Sequence, residues 1–485
     1  MKLFITGLLI LIAGYFLYGS LVKKIFRPDD RATPAVTNPD GVDFIVLPNW
    51  KNMLIQLLNI AGIGPVIGVI SGVLFGDIVF VIIPVGCVLM GAVHDYAAGM
   101  MSIRHNGANL TELVKITAGK IPYRIFSVFL TLALLLVVAV FINVPARLTA
   151  GIFGNTNSAF YWSVGIIFVY YICATLFPVD KIIGKVYPIF GAVLLLGTVA
   201  LFATLMIAGI NEPAIMTESS AFQAKMFTAA GNKPIIPMLF VTIACGIISG
   251  FHATQAPIVA RTIKSEKQGF GVFFGMMAVE GFIAMVWSAG ALAIYNKFPE
   301  LIGTNPNSVL LRITEFFLYS KISLVVIISV IILAITSGDT AMRSLRLSLA
   351  EMFHIDQKPL VPRLMMVLPL IAATAGLLYW SNADSGSFQK LWTYFAWSNQ
   401  VIAAFALLVG SIYLFSLKRP AFITVLPGIF ITFVVTTYIL WISPAHGGPV
   451  GFGLDLHDAY IFAAFIALTL FAWARIRAEE VKLNQ

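Results

Sequence analysis

Stretches of about 20 predominantly apolar residues, each long enough to cross the hydrocarbon of a bilayer, follow one another almost without pause from residue 3 to residue 476. Lipid offers no partner to a backbone N–H or C=O, so spanning chain folds either as helices or as a closed barrel. The hydrophobicity here is continuous rather than alternating, which selects helices. Counting gives about 13 spans, over residues 3–22, 53–74, 77–103, 123–143, 160–177, 186–209, 235–256, 270–295, 321–349, 363–380, 390–416, 421–442 and 458–476. The intervening segments are too short for a soluble domain. The expected class is an all-α polytopic membrane protein, and a chain that is 59% hydrophobic and 11% charged agrees with it.

The net charge of +9 follows membrane orientation and does not call for a nucleic-acid partner. If the first span runs from outside to inside, the 31 basic residues divide about 23 to 8 in favour of the inner segments. Lys181, Lys185, Lys358 and Lys482 belong to that heavier set. The expected location is the cytoplasmic (inner) membrane, with the N-terminus outside and the C-terminus inside. Lys2 ahead of an apolar run also suits a signal peptide. The run is long, however, heavier positive charge follows it, and no A-x-A site ends it, so a retained helix is expected. Cys87, Cys173 and Cys245 all fall in apolar spans, where small buried hydrophobes are the norm.

Two spans are interrupted. Leu58-Asn-Ile-Ala-Gly-Ile-Gly-Pro65 and Ala244-Cys-Gly-Ile-Ile-Ser-Gly-Phe-His-Ala-Thr-Gln-Ala-Pro257 place Gly, Pro and polar residues in otherwise apolar chain. Unwound backbone at membrane depth is tolerated only where protein or a water-filled cavity covers it, and paired breaks in corresponding halves mark transporters. The division expected is an extra N-terminal helix (1–25), a polar linker (26–50), a core (51–416) and two further helices (417–485). Within the core the breaks lie five helices apart, which predicts two five-helix repeats of opposite orientation, 51–209 and 235–416. Half-helix N-termini then offer free N–H groups and positive dipole to a carboxylate, while unwound carbonyls suit a cation. Gly62, Gly64 and Pro65 in the first break, with Gly246, Ser249 and Gly250 in the second, are the candidate substrate lining, and His252 is a candidate contact.

Ionisable side chains within spans cost several kcal/mol (roughly 2.5–3.5 on insertion scales), so each is a functional candidate. Glu280 is the candidate for proton coupling by its depth. His94 and Asp95, near Arg104, read equally as a proton relay or as an ion-pair network fixing an inner gate. Thr336 and Ser337 are candidate oxygen ligands for Na⁺; the alternative, hydroxyls bonding back to their own helix, stands level with it. Asp339 is placed with ion coupling or with a pairing to Arg343 at i+4. No HExxH, Walker A, GxSxG or GxGxxG after a strand pattern occurs, and the six histidines lack metal-ligand spacing. Neither an enzyme nor a cofactor is expected.

Asn59-Ile-Ala-Gly-Ile-Gly-Pro65, Gly91-Ala-Val-His-Asp95, Ser102-Ile-Arg-His-Asn-Gly107 and Phe240-Val-Thr-Ile-Ala-Cys-Gly-Ile-Ile-Ser-Gly-Phe-His252 resemble the carbon starvation protein A (CstA) family, in the same order, across roughly residues 49–350. The chain resembles a short form, since long members carry further C-terminal spans. The resemblance implies an inner-membrane uptake transporter acting in the response to carbon starvation, with peptide uptake or pyruvate–proton symport as the known activities. It also implies similarity to the amino acid–polyamine–organocation superfamily. That superfamily's LeuT-like core is the inverted five-plus-five bundle, with a Thr-Ser pair on its eighth helix at a cation site, the position of Thr336 and Ser337. The function expected is a symporter importing pyruvate or short peptides with H⁺ or Na⁺. A nutrient sensor that binds ligand and signals to a partner is the alternative.

Overall fold

The computed structural model describes residues 1–481 except 42, 155, 177, 178, 218, 219, 358 and 385, and describes the backbone alone for 175, 176, 179–186, 220–224 and 320. Lys358 and Lys482, and the side chains of Lys181 and Lys185, therefore lie outside the described residues.

The described chain is helical, with one isolated antiparallel bridge between Ala32 and Ser265. Its spans are α1 (Lys2–Phe26), a bent pair α2 (Asn49–Ile60) and α3 (Gly64–Phe75), α4 (Val79–Arg104), α5 (Lys120–Ile152), α6 (Asn157–Ala174) and α7 (Tyr187–Asn211). After the second break come α8 (Gly250–Ala260), α9 (Glu266–Lys297), α10 (Lys321–Met352), α11 (Leu360–Ser381), α12 (Ser387–Ser416), α13 (Phe422–Trp441) and α14 (Leu456–Glu480).

Eleven of these helices are long and apolar enough to cross a membrane, and the α2–α3 pair makes a twelfth. The remaining stretch of the about 13 expected, 235–256, is interrupted, as its glycines and serine predict, and is not counted among these twelve. That stretch is divided into Ile235–Leu239 running into Phe240–Thr242, then Ala244–Ile247 and Gly250–Ala260, none of spanning length. Its glycines and serine, which suggested a break, shorten each piece below the length a continuous span needs.

Burial sorts the helices. In α12, 83% of the most apolar window is buried, and in α4 78%, whereas α11 has 17% and α1 22%. The first two therefore belong to the inner bundle and the last two to the lipid-facing wall. The α1 helix rests on α4 through a close approach at Gly7, where an added methyl would meet the Phe80 carbonyl oxygen at 2.3 Å. Small residues permit such backbone contact between membrane helices.

Beyond α1 the polar linker crosses the end of the bundle that carries Arg104 and Glu266. Asp29 N–H donates to Glu266 Oε2 at 2.7 Å, and Thr33 Oγ1 donates to the Ile263 carbonyl at 2.5 Å. Leu47 N–H donates to the Thr262 carbonyl at 3.0 Å. The fully buried Glu266 also accepts from Arg104 Nε, and Arg104 Nη2 reaches the Phe26 carbonyl at 2.9 Å. The segment is thus a strap fixed to the bundle rather than a free connection.

Candidate functional site

Both breaks have a local cause in the sequence. In the first, Ala61 leaves helical geometry, Gly62 N–H turns back to the Ile60 carbonyl at 2.7 Å, and Pro65, which has no N–H to lose, opens α3 at an angle of 55° to α2. In the second, Ile248 and Ser249 are extended, with φ of −166° and −132°, ahead of α8. The two breaks touch. A methyl added at Gly64 would lie 2.0 Å from the Cys245 Cβ, and one at Gly246 would lie 2.8 Å from Val69 Cγ1. Pro65, Gly64, Gly62, Ser249 and Gly250 are all buried.

Four ionisable groups gather beside this crossing. Asp95 Oδ1 lies 2.8 Å from His94 Nδ1 and Asp95 Oδ2 lies 3.0 Å from His252 Nδ1, so one carboxylate orients both imidazoles. His252 Nε2 faces Glu280 Oε2 at 3.7 Å. The side chains of all four are fully buried. Neither oxygen of Glu280 accepts a hydrogen bond, and the Nε2 atoms of His94 and His252 have no hydrogen-bond partner. The spacing Gly91-Ala-Val-His-Asp95 turns Asp95 toward α8, where His252 sits in the first turn after the break. The histidine–aspartate pair is thereby joined to Glu280, and Arg104 is taken up by Glu266 at the strap end. Among the described residues no group of His, Cys, Asp and Glu has the geometry to hold a metal ion.

The α10 candidates reach other partners, with Ser337 at the edge of the first break. Thr336 Oγ1 bonds its own helix at the Ile332 and Leu333 carbonyls, 2.9 and 3.0 Å away. Ser337 Oγ donates to the Leu58 carbonyl of α2 at 3.1 Å, just ahead of the first break. Asp339 Oδ2 accepts from Tyr187 at 2.9 Å and from Tyr170 at 3.4 Å. Arg343 extends to the Ala174 carbonyl at 2.7 Å and toward Asp43 at 3.5 Å.

Sequence reasoning did not single out Asn399, whose Oδ1 accepts the Phe251 N–H at 2.7 Å and whose Nδ2 donates to Ser249 Oγ at 2.7 Å. The free N-terminus of α8 is therefore capped by an amide from α12. Gln400 Nε2 adds a bond to the Phe240 carbonyl at 2.8 Å. Gln56 and Asn59 were also passed over. With Asn52 they stand at i, i+4 and i+7, one face of α2. Asn52 bonds the Thr262 carbonyl at 3.1 Å, while all four amide atoms of Gln56 and Asn59 are buried without a partner. Native proteins rarely leave such groups unsatisfied, so this face is suited to water or a polar ligand. The signal was the period-3.6 recurrence of amides in an apolar helix.

Residues 1–160, 149–316 and 308–438 match the family model described as carbon starvation protein CstA. The chain belongs to the CstA family. One CstA relative, an uncharacterized membrane protein of Haemophilus influenzae (strain Rd), is 40% identical over 333 residues, covering 59% of this chain and 90% of that protein. The peptide transporter CstA of Bacillus subtilis (strain 168) is 25% identical over 84% of each chain. The pyruvate/proton symporter BtsT of Escherichia coli (strain K12) is 26% identical over 345 residues, 56% of this chain and 46% of that protein. Among solved structures, MhsT in complex with L-phenylalanine superposes with a TM-score of 0.59 at 10% identity, covering 89% of this chain and 99% of that one. The fold is LeuT-like, and this CstA family member is a multi-pass membrane transporter rather than an enzyme.

Proposed function

We propose that the chain is a symporter that imports a small carboxylate-bearing nutrient, pyruvate or a short peptide, into the cytoplasm with protons. The observation that carries this reading is the buried Asp95 bridge between His94 and His252, with Glu280 on the far side of the His252 ring. Ionising a buried carboxyl that receives no hydrogen bond is costly. Glu280 therefore carries charge only opposite a protonated His252, and the pair gains or loses its proton with a change in local hydration. Asp95 holds the ring in the tautomer that presents Nε2 to Glu280.

The substrate carboxylate is assigned to the first break, at Gly62, Gly64 and Pro65, with the unpaired amides of Gln56 and Asn59 lining the way from it to the strap end. Gly246, Ser249 and Gly250 form the opposite wall, their N–H end being occupied by Asn399. The strap end, with Arg104, Arg261 and Arg419, is the cytoplasmic side by the positive-inside rule, which leaves the N-terminus outside and the C-terminus inside. The core, 51–416, changes access by rocking one repeat, 51–209, against the other, 235–416.

Sodium coupling is a second reading, favoured by the Ser337 hydroxyl beside the Leu58 carbonyl, with Thr336 on the same turn. Asp339 belongs to that reading. In liposomes, accumulation of labelled pyruvate or alanylalanine under a proton gradient, and not under a sodium gradient, is the outcome that supports proton coupling. The reverse preference moves coupling to Thr336 and Ser337, and binding without accumulation makes the protein a sensor.

A further inference from the structure

Opposite the strap end, a cavity of about 440 Å³ opens above the crossing of the breaks. Ile67 and Ser71 of α3 and Val241 and Thr242 of the second broken segment line it, together with the aromatic rings of Trp392 and Tyr438. Two cations line the cavity, Lys233 and Lys390, and no acidic residue does so among the described residues. Lys233 is half-buried, and its ammonium has no hydrogen bond or ion pair with any described residue. Asp384, the acid nearest in sequence to Lys390, is already engaged by the N–H groups of Gly386 and Ser387, both at 2.8 Å, and by Ser387 Oγ at 2.7 Å. Tyr438 and Asn307 are also among the lining residues, and the Tyr438 hydroxyl and Asn307 Oδ1 are buried behind the surface without a partner.

An unpaired cation in a cleft bounded by low-dielectric protein focuses its field into the cleft and raises the local concentration of anions. Aromatic walls with a few unpaired polar groups are the make-up of a small-molecule site.

We propose that this vestibule is a capture site for organic carboxylates, separate from the crossing of the breaks, in which Lys233 pairs the carboxylate while Tyr438 and Trp392 hold the body of the ligand. The proposal rests on the carboxylate reading above. A three-carbon acid and the C-terminus of a short peptide present the same group to Lys233, and they differ in how far they reach toward Asn307 and the rim.

The test uses the full-length protein in detergent, with Cys173 and Cys245 replaced by Ser and Thr242→Cys placed on the cavity floor. Its rates of modification by an anionic and a cationic methanethiosulfonate reagent are compared. The anionic reagent is expected to be preferred, and Lys233→Gln to reduce that preference about tenfold, while Lys233→Arg retains it. Pyruvate and alanylalanine, applied separately, are each expected to slow modification in the parent and not in Lys233→Gln; the one that protects at lower concentration is the better fit. Size-exclusion profiles confirm that each variant is folded. An anionic preference unchanged by Lys233→Gln overturns the proposal, whatever is transported. A Lys233-dependent preference in a protein that accumulates neither probe in liposomes keeps the anion site and overturns the importer reading instead.

Discussion

Asp95 spans His94 and His252 with its two oxygens at 2.8 and 3.0 Å, so one carboxylate on α4 fixes an imidazole on its own helix and another at the broken end of α8. Removing one member of a buried pair leaves the other groups unsatisfied, a cost of about 3–5 kcal/mol. Asp95→Asn is therefore expected to lower the melting temperature sharply in detergent, together with transport.

Glu280 behaves differently, because its oxygens accept no hydrogen bond that an amide would lose. Glu280→Gln is expected to leave thermal stability close to wild type, well within the Asp95→Asn loss. Proton-driven uptake should fall by about tenfold or more, while exchange of labelled for unlabelled substrate across equilibrated liposomes persists. Unchanged proton-driven uptake in this variant would remove Glu280 from the coupling path.

Gly250 sits where a methyl would meet the Asn399 carbonyl oxygen at 2.3 Å and Ile402 Cβ at 2.4 Å. Those atoms belong to the α12 backbone and core and have nowhere to move. Gly250→Ala is expected to destabilise by about 1–3 kcal/mol or more through overpacking, read as an earlier unfolding transition. Gly271, with open space around its Cα, is the control, and Gly271→Ala should be silent.

At the strap end, Glu266→Ala would leave the buried Arg104 guanidinium without its carboxylate and Asp29 without its acceptor. Loss of a buried partner at about 3–5 kcal/mol is enough to free the linker. Limited proteolysis is expected to cut within residues 26–50 faster than in wild type, and equal cleavage rates would show that the strap is held elsewhere.

Burial lowers the pKa of Lys233 from the ordinary lysine value. Its charge, and with it anion capture, is present at lower pH and lost as pH rises through that lowered value. Lys390, Asp384, Tyr295 and Tyr438 are the other titratable groups around the vestibule. At a fixed pH difference across the membrane, the half-saturating substrate concentration is expected to rise with pH more steeply in wild type than in Lys233→Arg, and equal slopes would remove Lys233 from capture.

The breaks were legible in the sequence because Gly62, Gly64, Pro65 and Ser249 contradict the hydrophobicity around them, and lipid makes such contradictions expensive. Glu280 and Asp95 stood out for the same reason. The partners did not. The sequence presents His252 as a substrate contact, but its place between Asp95 and Glu280 depends on how α4, α8 and α9 pack, which no local pattern encodes. Asn399 gives no sequence signal, because a neutral amide in an apolar helix is ordinary until the helix N-terminus it caps is known. Glu266 carries no local signal, since burial of an acid at the start of α9 is decided by a strap more than two hundred residues away.

The amide of Asn399 also has a mechanical consequence. Together with Gln400 it ties α12 to the second break at Phe240, Ser249 and Phe251, so these pieces travel as a single block. Any sliding seam must then run along the first break's side, between Gly64 and Cys245. Spin labels placed on α12 and α8 should hold their separation through a transport cycle, and a change in that separation would show that the block comes apart.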